Sequence, residues 1–149
     1  MNLSRKCQYA LRALLELAKQ REAGPVASRQ IALIQKISPN FLELILKELR
    51  QAGWVTSSRG PAGGYVLAVS PESLSVGAVI RFIEGPFSPV KCATDNGGRH
   101  CTDKALCAFA GLWARAERRL ADLYDNTTFR EILDEQEALL APLPPSYCI

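Results

Sequence analysis

The chain has 149 residues, 48% hydrophobic and 22% charged, with a formal net charge of +3. That length suits one compact domain, or a small domain plus an arm. No apolar run reaches the span of a bilayer, and the first apolar stretch, Ala10 to Ala18, is broken by Arg12 and Glu16, so it is not expected to be a signal peptide. A cytoplasmic protein is therefore expected. Residues 1–65 hold ten Lys/Arg against four Asp/Glu, and residues 66–149 hold eight against eleven. A basic front half joined to an acidic back half fits a nucleic-acid face carried on something else.

Ser4 is placed to cap a first helix running to about Gln20, with Ala10, Ala13, Leu14, Leu17 and Ala18 as its buried face. Gly24-Pro25 stops it. Ser28 is expected to cap a short helix carrying Ile31 and Ile34. After a break at Ile37, Ser38-Pro39 sets a capping hydroxyl directly before a proline at the first helical position. Leu42, Ile45, Leu46 and Leu49 then recur at the spacing of a buried helix face, and Asn40, Glu43, Lys47 and Arg50 fall opposite. Gly53 ends this helix. Trp54 to Ser58 and Tyr65 to Val69 read as strands joined by Arg59-Gly60-Pro61-Ala62-Gly63-Gly64, all turn chemistry.

A helix–turn–helix followed by a β-hairpin is a winged helix: a mostly α fold with a small β-wing, whose second helix enters the major groove. The candidate DNA-contacting residues are Ser28, Ser38, Asn40, Phe41, Glu43, Lys47 and Arg50, with Arg59 and Gly60 at the wing tip. Glycine lets the tip backbone approach DNA closely, and a guanidinium there reaches a narrow minor groove or a phosphate. Glu43 can accept a hydrogen bond from cytosine or repel wrong sequences.

Ser75 is placed to cap a further helix through Glu84. From Pro86 to Leu106 there is no apolar period, and so long a loop inside a compact domain usually has a function. It carries Cys92 and Cys101 and runs into Cys107. Phe109, Leu112, Trp113, Ala116, Leu120 and Leu123 then mark one face of a long helix, with Trp113 read as core. Thr128-Phe129-Arg130-Glu131 has capping-box form and opens a last helix bearing Ile132, Leu133, Leu139 and Leu140. The long helix has more apolar face than the remaining elements cover. A homodimer is expected, its symmetry suited to a palindromic operator; the alternative is packing on the chain's own first helix. The expected organisation is a winged-helix domain over 1–85, a cysteine loop over 86–106, a dimerisation helix and C-terminal helix over 107–141, and a tail over 142–149.

In a reducing compartment clustered cysteines suggest metal or redox chemistry rather than disulfides. Three thiolates hold a soft metal, and iron–sulfur clusters are held mainly by cysteine. Zinc on the three cysteines and His100 is chemically legitimate but lacks a short C-x2-C knuckle. Metal-free thiol oxidation is a third reading. Cys7 reads as helix packing and Cys148 as incidental. A single histidine, no nucleophile motif and no phosphate loop argue against an enzyme. An iron–sulfur carrier is the competing class, but it needs neither a recognition helix nor a wing.

Leu3-Ser4-Arg5-Lys6, Tyr9-Ala10-Leu11-Arg12-Ala13-Leu14 and Ile37-Ser38-Pro39-Asn40-Phe41-Leu42-Glu43 form a further pattern. Its most specific part is Leu49-Arg50-Gln51-Ala52-Gly53-Trp54-Val55, running into Ser58-Arg59-Gly60-Pro61-Ala62-Gly63-Gly64-Tyr65-Val66-Leu67. On these segments, the cysteine loop and the long helix, the chain resembles the Rrf-two family of winged helix-turn-helix transcription regulators over nearly its whole length. The resemblance implies a homodimer whose long helix crosses to the partner's DNA-binding region. It also implies, for members with three cysteines in this loop, a 2Fe–2S or 4Fe–4S cluster, here on Cys92, Cys101 and Cys107, that senses redox state, nitric oxide or iron supply. Other members lack those cysteines and sense a protein partner or thiol oxidation. The spacing C-x8-C-x5-C is wider in its first gap than in well-known members. Relatives' fourth-ligand positions correspond here to Ala110 and Gln8, and neither pattern carries over. His100, Cys7, Asp95, Asp103 or an external thiol are the candidates.

Overall fold

The computed structural model describes residues 2–60, 62–90 and 107–141. The elements run α1 (Arg5–Lys19), α2 (Ser28–Gln35), α3 (Pro39–Gln51), β1 (Val55–Ser58), β2 (Gly64–Leu67), α4 (Val76–Glu84), α5 (Ala110–Asn126) and α6 (Phe129–Leu140). Most helix starts follow from local chemistry. The Ser4 hydroxyl accepts from Cys7 N–H at 3.2 Å, Ser38 from Phe41 N–H at 3.4 Å, and Ser75 from Ala78 N–H at 3.1 Å. Thr128 and Glu131 cap reciprocally, with Thr128 N–H donating to Glu131 Oε2 at 2.7 Å and Glu131 N–H to Thr128 Oγ1 at 3.2 Å. Each cap satisfies backbone donors that the helix cannot.

Ser28 departs from expectation. The N-cap of α2 is Ala27, with no side-chain cap, and Ser28 is the first helical residue. The reason is a pairing distant in sequence: Val26 and Tyr65 exchange backbone hydrogen bonds of 2.9 and 2.8 Å, so the chain leaves the wing sheet at Val26 and enters the helix at once. The wing thus gains a third edge beside its antiparallel pair, whose register runs from Val55 opposite Leu67 to Ser58 opposite Gly64. Both strands are shorter than predicted. Trp54 belongs to the end of α3, where Gly53 N–H donates to Arg50 O and Trp54 N–H to Leu49 O, closing a Schellman turn. Past Leu67 the chain runs into a turn in which Ser73 N–H donates to Ser70 O at 3.0 Å.

α1 is the central helix, packing against α2, α3, α4, α6 and β2. Its Ala10, Ala13, Leu14, Leu17 and Ala18 share one core with Ile31, Leu42, Ile45, Leu46, Leu49, Val55, Val79, Phe129 and Leu133. Burying each large apolar side chain contributes roughly 1.5–3 kcal/mol, so α6 is pinned to the winged helix by Phe129 and Leu133. A second cluster joins Cys7, Ile80 and Phe87 to Leu120, Ala121 and Tyr124 of α5. Several apolar helix positions, Trp113 among them, which the sequence reads as core, lie outside both clusters. Ile34, Leu139 and Leu140 are exposed, because α2 and α6 each meet the core along one flank only. Trp113 is half-buried on a helix with no fully buried residue, outside the chain's own core. Among the described residues no helix is long and apolar enough to cross a membrane.

Candidate nucleic-acid interface and cysteine loop

On α3, at about 100° per residue, the buried side chains Leu42, Ile45, Leu46 and Leu49 set the inward direction. Asn40, Leu44, Lys47 and Gln51 point most nearly outward, and all four are exposed. Glu43 and Arg50 occupy the shoulder toward the wing. The Tyr65 hydroxyl donates to Glu43 Oε2 at 2.8 Å, and Arg50 Nη1 donates to Ser57 Oγ at 3.2 Å. Burial, and then its hydrogen bond to Glu43, push the Tyr65 hydroxyl above its ordinary range. On the opposite shoulder Phe41 stands edge-on to Tyr9 with ring centroids 5.9 Å apart, and Lys6 Nζ lies 2.7 Å from Glu48 Oε2. α3 is therefore tied to the wing on one side and to α1 on the other.

Arg59 and Gly60 are exposed at the turn between β1 and β2, and Gly60 has φ 110°, a conformation that favours glycine. Ser38 spends its hydroxyl on the cap of α3, and Ser28 is half-buried at the start of α2. Of the predicted DNA-contacting residues, Asn40, Glu43, Lys47, Arg50, Arg59 and Gly60 are exposed along α3 and the wing. Phe41 instead packs partly against α1. Leu44, exposed on the outward side of α3, and Tyr65, bonded to Glu43, stand beside these residues. The helical period alone flags Leu44, whereas Tyr65 meets Glu43 only through the fold.

Cys92, Cys101, His100, Asp95 and Asp103 lie outside the described residues. Cys107 is half-buried, and its carbonyl accepts from Ala110 N–H at 3.1 Å as α5 begins. At the other root of the loop Phe87 is 3% exposed. Its ring lies 5.4 Å from that of Tyr124 in α5, and the Arg81 guanidinium sits 4.7 Å above it. Arg81 also grips both carboxylate oxygens of Asp125, at 2.9 and 2.7 Å. One residue before Gly85, Glu84 accepts from the backbone N–H of Ser4 at 3.0 Å and from its hydroxyl.

Cys7 is fully buried beneath Ile80 and Phe87. Burial, and then the Glu84 charge, push its thiol up to about 11, so it packs as a neutral group rather than offering a thiolate. The Gln8 amide donates to Leu3 O at 2.9 Å. Among the described residues no three His, Cys, Asp or Glu side chains gather to hold a metal ion. Phe109, at the N-cap of α5, and Leu112 and Leu123 along it are exposed.

The sequence profile of Rrf2, described as an iron-dependent transcriptional regulator, matches residues 3–135. The HTH-type transcriptional regulator CymR of Bacillus subtilis strain 168 is 35% identical over 144 residues, covering 94% of this chain and 98% of that protein. The HTH-type transcriptional regulator IscR of Escherichia coli O1:K1 is 36% identical over 139 residues, covering 93% and 84%. The solved structure of T. potens IscR superposes with a TM-score of 0.80 at 28% identity, covering 99% of this chain and 96% of that one. The solved structure of B. subtilis CymR, described as the global cysteine regulator, gives 0.76 at 33% identity, covering 91% and 98%.

Proposed function

The chain belongs to the Rrf2 family of DNA-binding transcription regulators, which are not enzymes, and on that premise we propose a cytoplasmic homodimer that reads a palindromic operator under the control of an iron–sulfur cluster on Cys92, Cys101 and Cys107. Asn40, Glu43, Lys47 and Arg50 face the major groove in this reading. Arg59 and Gly60 meet the flanking backbone or minor groove, and Ser28, Ser38 and Phe41 lie at the edge of the contact.

The observation that carries the cluster is the loop itself. With Cys107 at its end it supplies three thiols, and thiolates are the usual donors of such clusters. A bound cluster supplies ordering free energy to a segment without an apolar period. The chain's own residues carry that order to the reading head. Phe87, held by Arg81 and Tyr124, fixes the loop root against α5. Glu84 fixes the same root to Ser4 at the start of α1, and Lys6 links α1 to Glu48 on α3. A switch requires two loop states that differ in DNA affinity, and these contacts are the route by which the loop would set that difference.

The test is anaerobic purification with iron and sulfide analysis and an absorption spectrum, followed by gel-shift titration of the holo and apo forms on fragments selected by the holo-protein. Cys92→Ala, Cys101→Ala and Cys107→Ala should each abolish the normal cluster and change affinity for at least one fragment, while Cys148→Ala should not. Equal affinities of all forms on every fragment would rule out cluster control.

A second reading, metal-free sensing of thiol oxidation or of a partner protein, is favoured by the match to CymR along 98% of that protein. It predicts a colourless protein whose operator affinity changes on treatment with peroxide or on adding the partner.

A further inference from the structure

The crown of the recognition helix is apolar. Leu44 is 59% exposed and belongs to neither buried cluster. Its neighbours along the outward stripe are Asn40 one turn before it and Lys47 and Gln51 one and two turns after. The side chains flanking that stripe are drawn off it: Glu43 to Tyr65, Arg50 to Ser57, Phe41 to Tyr9 and Glu48 to Lys6. What remains at the centre, between a carboxamide and an ammonium, is a branched hydrocarbon.

A lone exposed leucine is ordinary on a protein surface. At this position it has a specific consequence, which rests on the reading of α3 as the groove-entering helix. Base edges in the major groove present hydrogen-bond donors and acceptors, and their one distinctively apolar group is the C5 methyl of thymine. Leucine pressed on an amino or carbonyl edge strips water from a polar group and returns no hydrogen bond, which is unfavourable. Leucine pressed on a methyl removes apolar surface of both partners from water.

We propose that Leu44 is a specificity-determining residue that reads the methyl group of one thymine in each operator half-site. The hydrogen bonds from Tyr65 to Glu43 and from Arg50 to Ser57 hold the longer polar side chains toward the wing and keep the crown clear for that contact.

Deoxyuridine differs from thymidine only by that methyl, so the test needs no change to the protein. Duplexes are selected from a random-sequence library by the full-length protein, and each thymine is then replaced in turn by uracil. The wild type should show one thymine per half-site whose replacement weakens binding about three- to tenfold, the effect of one buried methyl. Leu44→Ala, exposed and so without effect on the unfolding midpoint, should bind the thymine and uracil duplexes alike. Three results overturn the proposal: no uracil substitution changes wild-type affinity by more than twofold, the sensitive thymine stays sensitive in Leu44→Ala, or Leu44→Ala weakens all duplexes equally. Failure to select any duplex would overturn the DNA-reading role of α3 and this inference with it.

Discussion

A methyl group added at Gly64 tests how the wing is attached. Gly64 opens β2, and the next residue, Tyr65, exchanges two backbone hydrogen bonds with Val26, at 2.9 and 2.8 Å. A Cβ at Gly64 would stand 2.5 Å from the Val26 carbonyl carbon and 2.9 Å from Ala27 N, and closer still to Val26 O. These atoms are backbone, so no rotamer change relieves the overlap, and the Val26–Ala27 segment must retreat. Losing both hydrogen bonds costs about 1–3 kcal/mol at about 0.5–1.5 each. Val26, now 2% exposed, also loses part of its burial. Against this, alanine restricts the unfolded chain and returns about 0.4–1 kcal/mol. The net expectation for Gly64→Ala is a destabilisation of about 1–3 kcal/mol, or a fall in Tm of roughly 2–12 °C at about 2–4 °C per kcal/mol for a chain of this size. Urea unfolding followed by circular dichroism measures it, at fixed protomer concentration because the stability of the proposed dimer depends on it. Ala62→Ser, exposed in the same turn, is the control and should stay within about 0.5 kcal/mol. A Gly64→Ala protein within about 0.5 kcal/mol of wild type would refute the close approach on which the argument rests.

Arg59→Ala should weaken operator binding and leave the unfolding midpoint unchanged, while Lys47→Ala should lower the salt slope of binding by about one if it neutralises a phosphate; unchanged affinity in both variants would remove the wing and α3 from the interface. Leu112→Glu, placing a charge on the bare face of α5, should convert a dimer into a monomer by light scattering, and a dimer that persists would place the partner elsewhere. The Cys7 thiol titrates at about 11 in the folded chain against an ordinary value of 9.0, so the unfolded chain loses that proton first. The stability this group contributes is present below pH 9 and lost as pH rises toward 11; wild-type stability should therefore fall more steeply over that interval than that of Cys7→Ala, and parallel curves would contradict the burial argument.

Features decided within a few residues were legible in the sequence. The caps at Ser4, Ser38, Ser75 and Thr128 form as read, because each needs only a side chain and an N–H three residues on. The buried stripes of α1 and α3 follow from period alone. Ser28 failed for the opposite reason: where α2 starts is set by Val26 leaving a sheet whose other member, Tyr65, lies far along the chain. The same distance hid the wing's hold on Glu43. Helical periodicity marks Glu43 as a polar residue on an outer face, but only the fold brings the Tyr65 hydroxyl to it. For the cysteine loop, the motif names Cys92, Cys101 and Cys107, while its anchorage through Phe87 and Glu84 depends on contacts with α1 and α5 that no local pattern encodes.

The long helix shows most clearly what periodicity leaves open. Phe109, Leu112, Trp113, Ala116, Leu120 and Leu123 form one broad stripe in sequence, and a stripe says which side is apolar but not what covers it. The structure divides it. Leu120, together with Ala121 and Tyr124, turns toward Cys7, Ile80 and Phe87, so this flank belongs to the chain's own second core. Phe109, Leu112 and Leu123 stay on the other flank, 61%, 44% and 60% exposed. Both readings of the stripe, self-packing and dimerisation, thus have a flank of the helix that fits them. The inner flank, through Phe87, touches the root of the cysteine loop, and in the proposed dimer the outer one meets a second chain. In that proposal a helix with one side on the loop root and the other on a partner chain cannot shift for one without moving against the other. The same helix geometry therefore supports both halves of the proposed function.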